Sequence, residues 1–189
     1  MRCSRHFLLA MFLVCFSFAQ AQKNKPIALP PAMPVDSVTR LITYSEVVQV
    51  PGMKPVDLYN RALSWAQTYY KNPADVIREK NPAEGKLLIK ARYKIYNEPD
   101  KEGTVTNAGD VMYTLTIWFK DGRYKYEMTR FNWQQLSSFP AERWTDSSSS
   151  SYVPAYAHYL KQTDEKTKEI LSLLRKKMSE DDAKPANDW

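Results

Sequence analysis

Cysteine, histidine and glycine are scarce in this chain, with two, two and five copies in 189 residues. Five scattered glycines supply no Gly-rich loop to cradle a phosphate. Cys3, Cys15 and His6 all fall within residues 1–21. That stretch has Arg2 and Arg5, a mostly apolar run over residues 7–18, and Ala19-Gln20-Ala21. A positive start, a short apolar run and an A-x-A end make the pattern of a cleaved secretory signal, with cleavage expected between Ala21 and Gln22. A membrane span takes about 20 apolar residues, so no transmembrane anchor is expected after cleavage. Leu13 and Val14 are too bulky for lipoprotein processing at Cys15.

Cleavage would leave a mature chain with no Cys and a single histidine, His158. Such a chain has no disulfide, no thiolate metal site and no Cys nucleophile, and no cofactor is expected. Loss of Arg2 and Arg5 lowers the formal net charge from +6 to +4, mildly basic and uninformative by itself. The 43% hydrophobic and 13% aromatic content is enough for one packed domain.

Residues 22–40 carry Pro26, Pro30, Pro31 and Pro34 and read as an extended linker. Residues 41–50 read as a strand with Ile42, Tyr44, Val48 and Val50 on one face and Glu46 as the misfit. Pro51-Gly52 ends it. Pro55 suits the first turn of a helix. Leu58, Ala62, Trp65, Ala66 and Tyr69 then recur at helical spacing until Asn72-Pro73 stops them. A short strand is expected at 76–79. Residues 85–96 alternate cleanly, with Leu87, Ile89, Ala91, Tyr93 and Ile95 opposed to Lys86, Lys90, Arg92 and Lys94. Residues 97–110 read as a polar loop. Two alternating runs, 111–119 and 124–131, flank Asp121-Gly122, a two-residue hairpin signal. Residues 134–153, with five serines at 147–151, read as irregular. A C-terminal helix is expected over 154–180, with Thr163-Asp164 as a point where it could break, and a flexible tail over 181–189. Strands grouped between two helices predict an α+β fold. The expected sheet is antiparallel, of about five strands, with both helices on one face and water on the other.

Three stretches together resemble a known family. They are the run from Ile42 through Val50-Pro51-Gly52-Met53, the segment Asp57-Leu58-Tyr59-Asn60-Arg61-Ala62-Leu63-Ser64-Trp65, and Lys120-Asp121-Gly122-Arg123-Tyr124-Lys125-Tyr126. They are similar to an exported bacterial domain of unknown function with a TBP-like fold (TBP being the TATA-box-binding protein), over about residues 41–133. The resemblance implies the strand–helix–strands order read above, and it implies no activity and no catalytic residues. Lys54 departs from good capping chemistry, since Ser or Asp would cap the helix better.

His158 has no second His or Cys at ligand spacing and no G-x-S-x-G elbow to serve, so it reads as a surface or partly packed residue. Paired carboxylates perform glycosidase chemistry without His or Cys, which makes Glu46, Glu84, Asp110 and Glu127 the acids to consider for a hydrolase. A bulge or an edge position explains Glu46 more simply.

The hairpin register is more informative. With Asp121-Gly122 as the loop, Lys120 faces Arg123, Phe119 faces Tyr124, Ile117 faces Tyr126 and Leu115 faces Met128. The last three pairs form a core face. The other face collects Thr114, Thr116, Trp118, Lys120, Arg123, Lys125, Glu127, Thr129 and Phe131. The preceding strand adds Lys86, Lys90, Arg92, Lys94 and Tyr96, for seven bases against one acid. Lys90, Arg92, Lys94, Trp118, Arg123 and Lys125 are the candidate binding surface of a non-enzymatic envelope module, periplasmic or secreted. An acidic glycan, a lipid headgroup or an acidic envelope protein would suit it. Basic and aromatic residues on an open sheet also grip nucleic acid, but export argues against that partner. A solvated face whose lysines discourage edge pairing, or a protein interface between subunits, are the other readings. Mass spectrometry of the protein from its own cells is expected to find Gln22 as the first residue and no lipid on Cys15. An intact residue 1–21 segment would overturn the export reading.

Overall fold

The structure is a computed structural model that describes residues 29–180. The expected signal segment, residues 22–28 of the linker and the tail at 181–189 lie outside the described residues. The elements in chain order are β1 (Tyr44–Gln49), α1 (Pro55–Tyr69), α2 (Pro73–Val76), β2 (Ile77–Asn81), β3 (Lys86–Tyr96), β4 (Asn107–Lys120), β5 (Arg123–Gln134), β6 (Ser138–Pro140), a 3-10 turn (Ala141–Trp144) and α3 (Ala155–Ser179). The strands form one antiparallel sheet in the order β1-β5-β4-β3-β2, and β6 also pairs with β5.

The hairpin holds the centre. β4 and β5 pair with Lys120 opposite Arg123, Phe119 opposite Tyr124, Ile117 opposite Tyr126 and Leu115 opposite Met128, the register read from the sequence. Gly122 takes a φ of 66° in the turn. Its N–H donates to the Met53 carbonyl (2.9 Å), and its carbonyl accepts from the Val50 N–H (2.8 Å). The Val50-Pro51-Gly52-Met53 turn and the hairpin tip, far apart in sequence, are therefore bonded to each other.

The inner face of the sheet is apolar because the strands alternate with period two. Leu87, Ile89, Ile95, Leu115, Ile117 and Met128 have no solvent exposure. α1 lays Leu58, Ala62, Trp65 and Ala66 on this face. α3 adds Leu160, Ile170, Leu171, Leu174 and Met178 as one uninterrupted 25-residue helix. Thr163 lies within it, buried, its hydroxyl donating to the Tyr159 carbonyl at 2.8 Å. That backward bond lets Thr163 sit inside the helix, so the break considered at Thr163-Asp164 does not occur. As expected, α1 starts without a side-chain cap at Lys54; Pro55 and the acidic Asp57 open its first turn.

Four further expectations are corrected. Phe131 is fully buried and packs edge-on against Tyr44, not outward. The pairing shifts between Met112 and Thr114, where β5 inserts one extra residue, and Arg130 takes a φ of 58°. This bulge reverses the alternation after Thr129, as an extra residue in one strand must. The segment 134–153 is not irregular throughout: β6 and the 3-10 turn lie in it, and they bury Ala141 and Trp144. Trp144 meets Trp133 at 5.5 Å and stacks on Tyr156 at 5.9 Å, so this cluster docks the start of α3 on the sheet. The polar loop is shorter than expected, because β4 begins at Asn107 rather than 111. The described part of the linker is also tied down: Val35 bridges to Ile42, and Met33 packs on the core.

Trp65, Ile117 and Tyr126 share this one core. Trp65 stacks on Tyr69 at 5.4 Å and meets Tyr70 edge-on at 5.8 Å. Trp65→Ala is expected to destabilise the fold by about 3–5 kcal/mol in urea melts, the cost of truncating a large core aromatic. An unchanged midpoint would mean that α1 does not cover the sheet.

Candidate functional site

Among the described residues no helix covers the outer face of the sheet. Along β3, Lys90, Arg92 and Lys94 are exposed while Leu87, Ile89, Ala91 and Ile95 are buried. Opposite them on β4 stand Thr114, Met112 and Asp110. Nearer the hairpin tip, Trp118 lies between Lys86 on β3 and Lys125 on β5. The seven expected bases are all on this face. Three acids accompany them instead of one, because Asp110 belongs to β4 and Glu79 pairs with Lys86 from β2. Lys86 and Glu79 are 2.9 Å apart. Asp110 sits 3.6 Å from Arg92 and 3.5 Å from Lys94, and Glu127 sits 3.6 Å from Lys125. Such exposed pairs contribute about 0–1 kcal/mol each and leave a net positive field. Lys90, Lys120 and Arg123 have no ion-pair partner among the described residues.

The candidate residues fall into two groups. Trp118, Arg123 and Lys125 come together at the hairpin tip. With Val47, Lys120 and Tyr124 they line a depression of about 400 Å³. The Lys125 ammonium lies 5.3 Å from the Trp118 ring centre, close enough for a cation–π contact. Because Val50 and Met53 bond to Gly122, this cluster stands on a braced turn rather than a free one. Lys90, Arg92 and Lys94 form the second group. From Trp118, opposite Lys86, to Lys90 is four residues of strand, about 13 Å at 3.3 Å per residue. Leu88 and Thr116 occupy the interval, and Thr116 is buried. Lys90 and Arg92 line another depression, of about 550 Å³, with Tyr70, Lys71, Asn72, Asp75 and Arg78. Lys71 and Arg78 were not legible as site residues. They lie in a turn and at the bulge of β2, where no periodicity marks a face. Tyr96 belongs to the outer side, 43% exposed, at the far end of β3.

The four acids considered for hydrolysis are dispersed. Glu46 lies on edge strand β1, opposite Tyr126 on the helix side, which resolves its misfit. Its carboxylate accepts from the Tyr126 hydroxyl and pairs with Arg175 of α3 at 2.8 Å. Asp110, opposite Gln134, and Glu127, opposite Thr116, are on the outer face, well apart along the strands and each paired with cations. Glu84 is in the β2–β3 turn, and its backbone N–H donates to the Asn81 side chain. His158 is on the first turn of α3, against the Tyr159 ring. No group of three or more His, Asp or Glu fit to hold a metal occurs among the described residues.

Several tyrosines on the helix side of the sheet have raised pKa values. Burial raises Tyr44, Tyr70, Tyr93 and Tyr113 well above the ordinary phenol value. Tyr126 rises through burial and its bond to Glu46, and burial pushes Tyr124 up to about 12. A raised phenol stabilises the fold fully below the unfolded value of about 10, and that stability is lost as pH climbs through the folded value. The urea midpoint is therefore expected to fall between pH 10 and 12, with tyrosinate absorbance at 295 nm appearing together with unfolding. Full ionisation while the protein is still folded would contradict the burial.

The architecture defines a class: an antiparallel sheet covered on one side by helices, an α+β fold of TBP-like type. Residues 44–134 match the family described as a domain of unknown function (DUF4468) with TBP-like fold. The match runs from the first residue of β1 to the last of β5. A DUF4468 family protein from Bacteroides ovatus ATCC 8483 is similar in structure with a TM-score of 0.63 at 17% identity, over 80% of this chain and 94% of that one. A TBP-like protein from Parabacteroides distasonis ATCC 8503 aligns over 71% of this chain and 93% of that one, at 14% identity and a TM-score of 0.49. No curated protein matches the sequence. At such identities the likeness concerns the fold, which hosts no single function.

Proposed function

We propose that this protein is an exported, non-enzymatic binding or accessory protein of the cell envelope. Its open sheet face takes up an acidic partner, with the hairpin-tip cluster as the centre. One observation supports this reading: a helix-free sheet face with seven bases against three acids, of which Lys120 and Arg123 stand unpaired beside Trp118. Cations beside a partly exposed indole suit carboxylated or phosphorylated groups on a sugar, lipid or protein surface. Attraction at such a surface is screened over about 8 Å at physiological salt, so binding weakens as salt rises.

The test is recovery of partners from the cell's own envelope extract by the immobilised protein, at low and at high salt. Lys120→Glu combined with Arg123→Glu and Lys125→Glu is expected to abolish the salt-sensitive recovery. The melting midpoint should hardly move, since substitutions on an exposed face usually cost within about 0.5 kcal/mol. Equal recovery by the triple variant at both salt concentrations would reduce the cluster to solubilising charge.

A further inference from the structure

β3 has a free edge. β2 pairs with it only from Lys86 to Ile89, where the register shifts and ends. From Lys90 to Ile95 no strand among the described residues lies on that side. The direction of the backbone groups follows from their neighbours. The Phe119 N–H donates to the Gly85 carbonyl, and the Asn97 N–H donates to the Thr106 carbonyl, so odd-numbered residues bond toward β4. Even-numbered residues must then point their N–H and C=O groups away from β4. Tyr96 shows this. Its N–H donates to Gln162 Oε1 at 3.0 Å, and its carbonyl accepts from Gln162 Nε2 at 2.8 Å. A side-chain amide of α3 thus occupies the edge as a strand residue would. Arg92 and Lys94 present the same pair of groups with no partner among the described residues.

The surroundings of this edge are charged in a defined order. At the β2 end, the depression beside Lys90 and Arg92 adds Lys71 and Arg78, four bases with Asp75 the one acid. At the α3 end, a second depression of about 510 Å³ is lined by Tyr93, Lys94, Tyr96, Gln162, Glu165, Lys166 and Glu169. The two hollows flank the open stretch and together span it. Self-pairing is disfavoured, because a second copy would set Lys90, Arg92 and Lys94 against their like.

We propose that the free edge of β3 between Lys90 and Tyr96 takes up an extended acidic segment of another protein as an added strand. The backbone groups of Arg92 and Lys94 supply the hydrogen bonds, and Lys71, Arg78, Lys90 and Arg92 receive the acidic side chains. Adding a strand to an open edge is a recurrent mode of peptide recognition. Basic side chains at a sheet edge also serve simply to prevent pairing, and the experiment separates the two roles.

The probe is an eight-residue peptide of alternating Glu and Val. Before it is added, hydrogen exchange read by NMR is expected to be slow at Tyr96 and fast at Arg92 and Lys94. The peptide should slow exchange at Arg92 and Lys94. Methylating the amides of one alternate set in the peptide should weaken binding by about tenfold or more, and methylating the other set should leave it unchanged. Arg92→Glu combined with Lys94→Glu should transfer preference to a Lys–Val peptide. Equal binding of both methylated peptides, or unchanged exchange at Arg92 and Lys94 in saturating peptide, would overturn the proposal. Because Lys120, Arg123 and Lys125 are untouched, the outcome is independent of the hairpin-tip reading.

Discussion

The pairing of β4 with β5 sets Leu115, Ile117 and Phe119 against Met128, Tyr126 and Tyr124 on one face of the sheet, and this register governs the rest. Shifting it by one residue would turn the three apolar side chains of one strand to water. With the register held, one face must be covered and the other must be polar. α1 and α3 supply the cover through Trp65, Leu160, Leu171 and Leu174. The polar face carries lysines, arginines and threonines, and no helix among the described residues packs there.

The one-sided cover has a consequence for where chemistry can sit. Phenols of raised pKa are concentrated beneath the helices, where burial rather than a reacting partner perturbs them. The open face instead holds charges in water, where pairs such as Arg92–Asp110 are weak and solvent-screened.

α3 lies beyond the segment that matches the family, yet it completes the core. The bulge at Arg130 brings Trp133 to the inner side opposite Val111, where it meets Trp144 and, on the docked helix, Tyr156. The same helix sends Gln162 to the β3 edge and Arg175 to Glu46 on β1. One element thus closes the helix layer and reaches toward both edges of the sheet.

The alternation in 85–96 and on either side of Asp121-Gly122 determined which residues face the core, because side chains in a strand change sides at every step. The helix at 55–71 was legible from the spacing of Leu58, Ala62, Trp65 and Ala66. The sequence alone therefore determined the hairpin register, the covered face and the bases of the open one. Phe131 escaped that logic, since a bulge breaks the period and no residue type announces one. Trp144 escaped it because a three-residue strand and a single 3-10 turn are too short to show a period. Asp110 joined the basic face only when β4 proved to start at Asn107. The gathering of Lys71 and Arg78 beside Lys90, and the Gln162 bonds to Tyr96, were decided by tertiary structure alone. They join residues from separate elements, and periodicity within one segment carries no information about which other segment will lie beside it.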